Sequence, residues 1–287
     1  MSSDGGLATT TYLLHQRFRY EYPDPIHHLR HRLMVFPPQL HGDQRHVVRR
    51  LEIRGAPRQT VSWLDRFGNI VIEVRAALVP EAIEFESWSA VERTRRPRPG
   101  SVPEAVLHDR ALVDPSPLTR PDPALARAAD RLMHGRRPGL QLAADINHWV
   151  HDALDYSHDA TDVRTTAAEA LAIGAGVCQD YAHVMLSLCH LCSLPARYVS
   201  GHLVGEGGSH AWVEVVVPDP SRPGSAVAVP FDPTHDRQAG DGYVTVAVGR
   251  DYGDVAPTSG TFEASCRGRL FCRKRLQVAP APVALGA

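Results

Sequence analysis

The sequence predicts an α+β protein in which an N-terminal antiparallel β-domain precedes a domain of helices packed on an antiparallel sheet. Three observations support this class. Short segments rich in β-branched and aromatic residues occupy the first third of the chain. Helical periodicity begins only after a proline-rich stretch, and strand patterns return after Pro195. Helices followed by antiparallel strands are typical of an α+β domain.

The N-terminal third divides into a tail and a β-domain. Residues 1–10 are expected to form a disordered tail, and strand-like segments separated by Pro, Gly or Asn run from Thr11 onwards. The step Gly68-Asn69 between two of these segments is a tight-turn signal. We therefore predict an antiparallel β-domain over residues 11–92.

Residues 93–123 are crowded with proline and predict a linker, since proline removes backbone donors and blocks regular ladders. The remaining residues, 124–287, are predicted to form the second domain. It opens with apolar residues at helical spacing, such as Leu125 and Leu132, and contains a capping-box pattern, Thr166-Ala-Ala-Glu169. Alternating strand patterns follow the helices, for example in the segment HAWVEVVV.

Composition narrows the classes of function. The formal net charge is −1, so no global basic excess favours a nucleic-acid partner. No run of about 18 apolar residues predicts a membrane span, and the segment MSSDGGLATT does not resemble a secretory signal. The five cysteines, an odd number, favour reduced thiols. We expect a cytoplasmic protein without a membrane or nucleic-acid partner.

Cys178 is the candidate nucleophile. A thiol attacks as its thiolate, and a free cysteine has a pKa near 8.5. Cys178 stands where a helix is predicted to begin, directly after the glycines Gly174 and Gly176. The N-terminus of a helix favours an anion, and its unpaired N–H groups make the Cys178 amide a candidate oxyanion donor.

His210 and Asp232 are the candidate partners of this thiol. His210 opens one predicted strand and Asp232 ends the next, so two neighbouring strands would bring the side chains together. An imidazole can accept the thiol proton, and a carboxylate on its other nitrogen fixes the tautomer. Asp236, slightly further along the same turn, is the alternative residue for orienting the histidine.

The segments GVCQDYAHVMLSLCHLCSLPARYVSGHL, SHAWVEV and FDPTHD resemble the nucleophile helix, histidine strand and aspartate strand of the transglutaminase-like superfamily. The segments YEYPDPIHHLRHRLMVFPP and LDRFGNIVIEV resemble the N-terminal domain of its bacterial members. The resemblance implies a papain-like core, thiol acyl-transfer chemistry and a catalytic triad of Cys178, His210 and Asp232. No metal or organic cofactor is expected.

The resemblance leaves the reaction open, since members of the family cross-link, hydrolyse peptides or amides, or have lost activity. A peptide or protein amide is the expected substrate, with glutamine among the candidates. We favour hydrolysis over amine transfer because aromatic residues make up only 7% of the chain, and no aromatic-rich insertion near Cys178 or His210 predicts an acceptor tunnel. A non-catalytic binding module that keeps the fold is the alternative from another class.

Other polar motifs have structural explanations. The cluster His27-His28-Leu-Arg-His31 is expected to be a polar strand, because alternation would separate adjacent histidines. The pair Cys189 and Cys192 has redox spacing but lies on an apolar helical stripe, which favours packing. The segment Gly249-Arg250-Asp251-Tyr252 favours a structural ion pair, with a place in the active-site cleft as the alternative. Trp212 is expected in the core.

Overall fold

The computed structural model describes residues 9–94, 100–135 and 139–280. The chain divides into two compact units, and neither is continuous in sequence. The first unit contains the described parts of Met1–Pro97, His202–Ser209 and Pro257–Ala287. The second contains those of Arg98–Gly201 and His210–Ala256.

Strands dominate the beginning and the end of the chain, and most of the helices lie in its middle. The first part of the chain forms strands β1 (Thr9–Glu21), β2 (Ile26–Leu33), β3 (Leu40–His41), β4 (Gln44–Arg54), β5 (Gln59–Leu64), β6 (Ile70–Val79) and β7 (Ala82–Thr94). The middle part forms β8 (Gly100–Pro103), a 3-10 helix (Glu104–His108), α1 (Arg110–Val113), α2 (Pro123–Met133), α3 (Leu140–Ala153), β9 (Asp155–Tyr156), α4 (Ala167–Ile173), β10 (Ala175–Gly176) and α5 (Cys178–Leu191). The last part forms β11 (Ala196–Leu203), β12 (His210–Pro218), β13 (Ser225–Asp232), β14 (Arg237–Gln238), β15 (Tyr243–Gly249), α6 (Tyr252–Val255), β16 (Thr258–Glu263) and β17 (Arg269–Val278).

The first unit contains a five-stranded sheet of order β17-β1-β7-β4-β3 and a four-stranded sheet of order β16-β2-β6-β5. Side chains alternate between the two faces of each strand, so that Leu14 and Phe18 of β1 are buried whereas Leu13 and Arg17 are exposed. The buried faces form one apolar core that includes Phe18, Ile26, Leu29, Leu33, Ile72, Val74, Ile83 and Phe85.

The second unit contains a sheet of order β14-β13-β12-β11-β15, with β8 added beside β13. Helix α5 packs against β12 and against α2, α3 and α4, and its side chains are buried from Gln179 to Cys189. Burial of this helix is therefore wider than the predicted apolar stripe. The predicted capping box of α4 is confirmed, since Thr166 and Glu169 bond to each other's backbone N–H groups. Among the helices in the described ranges, none is long and apolar enough to cross a membrane.

The N-terminal boundaries differ from those expected. Of the predicted tail, residues 1–8 lie outside the described ranges, and Thr9 and Thr10 already belong to β1. Of the predicted linker, residues 95–99 are also outside them. Its later part has regular structure, because β8 pairs with β13 and a 3-10 helix and α1 follow. Residues 100–123 therefore belong to the second unit.

The C-terminal boundary also differs, since the second domain was expected to extend to residue 287. Strand β16 pairs with β2, and β17 pairs with β1 from Glu21 back to Tyr12. Residues 257–280 thus complete the two sheets of the first unit. The alternating pattern of a strand predicts which of its residues face a core. It does not predict which distant strand will pair with it.

Gly201 offers a test of packing in the second unit. A Cβ atom at Gly201 would lie 2.3 Å from the Val244 carbonyl oxygen and 2.4 Å from the Trp212 ring. Gly201→Ala should lower the free energy of unfolding by about 1–3 kcal/mol, since backbone cannot easily move aside. Gly240→Ala, where the added atom meets nothing within 4 Å, is the matched control. Equal urea midpoints for the two variants would contradict this packing.

Candidate active site

The chain turns sharply before the candidate nucleophile. Helix α4 ends at Gly174, which has a φ of 73° in the left-handed region that glycine adopts readily. The two residues of β10 then pair in parallel with β9, and α5 begins at Cys178. Cys178 is partly exposed and forms no disulfide. The sequence prediction that this thiol lies at a helix N-terminus is confirmed.

Asp180 fixes this turn from within. Its buried carboxylate accepts hydrogen bonds from the Val177 N–H at 2.8 Å and the Thr161 hydroxyl at 2.6 Å. A Cβ atom at Gly176 would lie 2.5 Å from that carboxylate, so only glycine fits. Burial raises the pKa of Asp180, and the hydrogen bonds only partly offset this. Asp180, an acidic residue in the first turn of α5 that matches the helix dipole, thus also holds the segment that precedes Cys178.

His210 connects the thiol to the carboxylate. It is the first residue of β12, pairs with Gly201 of β11 and is 3% exposed. Its Nε2 atom lies 2.8 Å from Oδ2 of Asp232, and Cys178 is the other side chain that raises the pKa of the ring. Burial lowers the pKa of His210, but the interactions with Asp232 and Cys178 outweigh it and raise the pKa to about 10. The ring is therefore a strong proton acceptor.

Asp232 ends β13, the strand that pairs with β12, and has no exposed surface. Oδ1 accepts the Thr234 N–H at 3.0 Å. Oδ2 lies within 2.8 Å of three groups, namely His210, His235 and the Tyr243 hydroxyl. Burial raises the pKa of Asp232, but these hydrogen bonds outweigh it and lower the pKa to about 2. The carboxylate is thus ionised throughout the neutral range.

Two side chains around this pair, Tyr243 and His235, were not predicted as part of the site, whereas Trp212 beside His210 was weighed from the sequence as a shield for an ion pair. Tyr243 and His235 bond to Asp232, and Trp212 lies beside the imidazole with ring centroids 6.1 Å apart. Trp212 is 1% exposed, as expected of a core residue. His235 could have been noticed from its position three residues after Asp232. Tyr243 follows no local pattern, because it opens a separate strand.

Asp236 does not contact the imidazole. Its two carboxylate oxygens bond to the Asn147 amide at 3.0 Å and to the His148 ring at 2.8 Å, both on α3. The carboxylate of Asp236 raises the pKa of His148. Asp236 therefore holds the turn after β13 against α3, while Asp232 is the aspartate that bonds to His210.

The segment from Gly249 to Tyr252 has a structural role in this arrangement. Arg250 forms its ion pair with Asp254, at 2.8 Å, and not with the adjacent Asp251. Asp251 instead caps α6 by accepting the Gly253 N–H. The Tyr252 N–H donates to the buried His183 ring at 3.2 Å. The predicted structural ion pair is thus present, with a different acidic partner.

The remaining motifs have the packing roles expected of them. Burial raises the pKa of Cys189, and it raises that of Cys192 to about 11, so both are unreactive thiols at neutral pH. In β2, His27 and His28 are exposed whereas His31 is buried and stacks on Phe85 at 4.6 Å. Burial lowers the pKa of His31 to about 4. The expectation that alternation separates His27 from His28 is wrong, because the φ of 52° at His28 takes it out of the pairing with β6 and leaves both side chains exposed, whereas His31 is buried.

Two family models match different parts of this chain. Residues 126–226 match the model of the transglutaminase-like superfamily, and residues 12–92 match that of the bacterial transglutaminase-like N-terminal region. The first match includes Cys178 and His210 and ends before Asp232.

Two mycobacterial relatives are uncharacterized proteins. One, from Mycobacterium leprae, is 29% identical over 243 residues, covering 78% of this chain and 84% of the relative. Another, from Mycobacterium tuberculosis strain H37Rv, is 28% identical over 292 residues, covering 91% of each chain.

A solved structure supports the fold. A Cytophaga hutchinsonii protein, provisionally described as a cysteine protease, is similar to this chain with a TM-score of 0.72. The identity is 17%, and the likeness covers 96% of this chain and 93% of the other. Together, the comparisons identify a transglutaminase-like core over residues 126–226 and a bacterial transglutaminase-like N-terminal region over residues 12–92, and the likeness to the solved structure supports a papain-like fold.

Proposed function

We propose that the protein is a thiol-dependent acyl-transfer enzyme that acts on amide bonds through Cys178, His210 and Asp232. The hydrogen bond between the His210 ring and the buried Asp232 carboxylate, together with the influence of Cys178 on the pKa of that ring, carries this proposal. The match to the transglutaminase-like superfamily supports thiol chemistry in general. The Cytophaga hutchinsonii protein, provisionally described as a cysteine protease, is in keeping with it.

The first half of the proposed reaction forms a thioester. The Cys178 thiol gives its proton to His210, and the thiolate sulfur attacks the carbonyl carbon of the amide. The carbonyl oxygen becomes an oxyanion, for which the backbone N–H of Cys178 at the start of α5 is the candidate donor. The C–N bond then breaks, and the His210 imidazolium gives its proton to the departing amine. Asp232 stays ionised and stabilises the imidazolium throughout.

The second half of the reaction releases the acyl group. An acceptor, either water or a primary amine, gives its proton to His210 while it attacks the thioester carbonyl. The C–S bond breaks, and the sulfur recovers the proton from the imidazolium. Water gives a carboxylic acid, whereas an amine gives a new amide. The chemistry of the three side chains is the same in both cases, so the acceptor decides the class of enzyme.

We favour hydrolysis of a peptide or protein amide, with glutamine among the candidate side chains. Cross-linking by amine transfer is the alternative reaction. A binding module without catalysis is the alternative function, and the ionised Asp232 and basic His210 argue against it, since such groups cluster at catalytic sites. A cytoplasmic location stays a prediction.

The nucleophile is tested by selective alkylation. Iodoacetamide at pH 6 should modify Cys178 before Cys189 and Cys192, because Cys178 is partly exposed beside His210 whereas burial raises the pKa of the other two thiols. Peptide mapping by mass spectrometry measures the order of modification. Cys178→Ala should remove the fast site and leave the circular dichroism spectrum unchanged. Equal labelling of Cys178, Cys189 and Cys192 would exclude a thiolate at Cys178.

The orienting carboxylate is tested with two matched aspartates. Acylation of Cys178 by p-nitrophenyl acetate, followed by release of p-nitrophenolate, should slow by about two to four orders of magnitude in Asp232→Asn. His210→Ala should cause a comparable loss, because the proton acceptor is gone. Asp236→Asn should stay within a few-fold of wild type, since Asp236 bonds to α3. A large loss of rate in Asp236→Asn with a small loss in Asp232→Asn would show that Asp236, and not Asp232, orients His210.

The acceptor is tested by partitioning. A glutamine-containing peptide is incubated with the protein and a primary amine at millimolar concentration, and mass spectrometry counts hydrolysed against amine-coupled product. Hydrolysed product should predominate, because water needs no dedicated acceptor pocket. Cys178→Ala should form neither product. Predominantly coupled product would make the protein a transferase and leave the roles of its three side chains unchanged.

A further inference from the structure

Tyr243 joins the buried carboxylate to an exposed cation. Its hydroxyl donates to Oδ2 of Asp232 at 2.6 Å and accepts a hydrogen bond from Nε of Arg237 at 2.9 Å. The Arg237 guanidinium also lies over the Tyr243 ring, 5.5 Å from its centroid. Arg237 is exposed and sits opposite Asp232 in the short β13–β14 ladder. The register of this ladder therefore brings the cation to Tyr243.

This geometry strengthens the tyrosine as a donor. A hydroxyl that accepts a hydrogen bond from a cation donates a stronger one, because successive hydrogen bonds polarise each other. Burial and the bond to Asp232 both raise the pKa of Tyr243, so its hydroxyl keeps its proton across the working range. Tyr243 can thus donate to Asp232 without ever competing with it as an anion.

We propose that Tyr243, held by Arg237, is a positioning residue that keeps the Asp232 carboxylate ionised and aimed at His210. The functional unit is then a line of five side chains, from exposed Arg237 through Tyr243, Asp232 and His210 to Cys178. This inference rests on the proposed function, in which those last three side chains carry the chemistry. Neither Tyr243 nor Arg237 is required to touch the substrate.

Several other groups face this carboxylate and must be separated from the tyrosine. His210 comes from β12, and His235 and the Thr234 N–H come from the turn after β13. Helix α3 packs on the same turn, where His151 bonds to the carbonyl oxygens of Pro233 and Thr234, and His148 pairs with Asp236. Apart from His210 itself, His235 is the titratable group that could take the role proposed for Tyr243, since it bonds to the same oxygen of Asp232.

The pH dependence of Cys178 alkylation by iodoacetamide tests the inference without any substrate. Tyr243 is one of the donors that lower the pKa of Asp232, so Tyr243→Phe should raise that pKa. As the pH falls, the Asp232 carboxylate of the variant is then protonated at a higher pH than in wild type. The His210 imidazolium loses the negative charge that stabilises it at that point. The acid limb of the alkylation rate profile should therefore move to higher pH by about one unit. At a given pH on that limb, the variant should be alkylated about tenfold more slowly than wild type.

Arg237→Met provides a second variant that alters only an exposed side chain and leaves Tyr243 in place. Its acid limb should move in the same direction by a smaller amount, because the tyrosine remains but donates more weakly. Tyr181→Phe is the matched control. It also removes a buried tyrosine hydroxyl, which donates to the Leu154 carbonyl at 2.5 Å and does not contact Asp232. This control should lower the melting temperature and leave the acid limb in place.

The outcomes separate this inference from the proposed function. An unchanged acid limb in both Tyr243→Phe and Arg237→Met, with normal selective labelling in wild type, would overturn the positioning role and leave the proposed function standing. A shift in His235→Ala but not in Tyr243→Phe would assign the role to His235 and also overturn it. Absence of selective Cys178 labelling in wild type would instead refute the proposed function itself.

Discussion

The buried carboxylate of Asp232 is the constraint on which the second unit depends. An ionised group without exposed surface is tolerated only if hydrogen-bond donors replace its hydration. Those donors come from β12, from the turn that α3 holds, and from β15, which lies at the opposite end of the sheet order from β14. Satisfying one charge therefore fixes the relative positions of strands that are not neighbours. The line from His210 to Cys178 is a product of that arrangement.

Two buried aspartates, both of which follow Cys178 in sequence, show how hydrogen-bond donors decide the charge state of a carboxylate. Asp180 receives the Val177 N–H and the Thr161 hydroxyl, and burial still raises its pKa. Asp232 has an imidazole among a larger set of donors, and its pKa falls to about 2. Both carboxylates are almost wholly removed from water. The first aspartate holds the backbone that precedes Cys178, and the second keeps a negative charge.

Local pattern was sufficient for part of the site and for much of the fold. The helix start at Cys178, the strand start at His210 and the strand end at Asp232 are each visible within a few residues of sequence. Tyr243 and the C-terminal boundary were not predictable, because both depend on contacts between distant segments. Tyr243 has the sequence context of an ordinary strand residue, and nothing around β17 indicates that its partner is β1. Long-range pairing is decided by the whole set of exposed edges and buried faces.

The pairing of β1 with β17 has a consequence for synthesis on the ribosome. Strand β1 pairs with β17, and β2 pairs with β16. Both β16 and β17 are synthesised long after the strands with which they pair. All residues of the second unit are made before either strand emerges. The edges of the nascent β-sheets of the first unit therefore stay unpaired while the second unit is translated. Unpaired strands are prone to aggregation during that period. Chaperone capture is expected to concentrate in that interval.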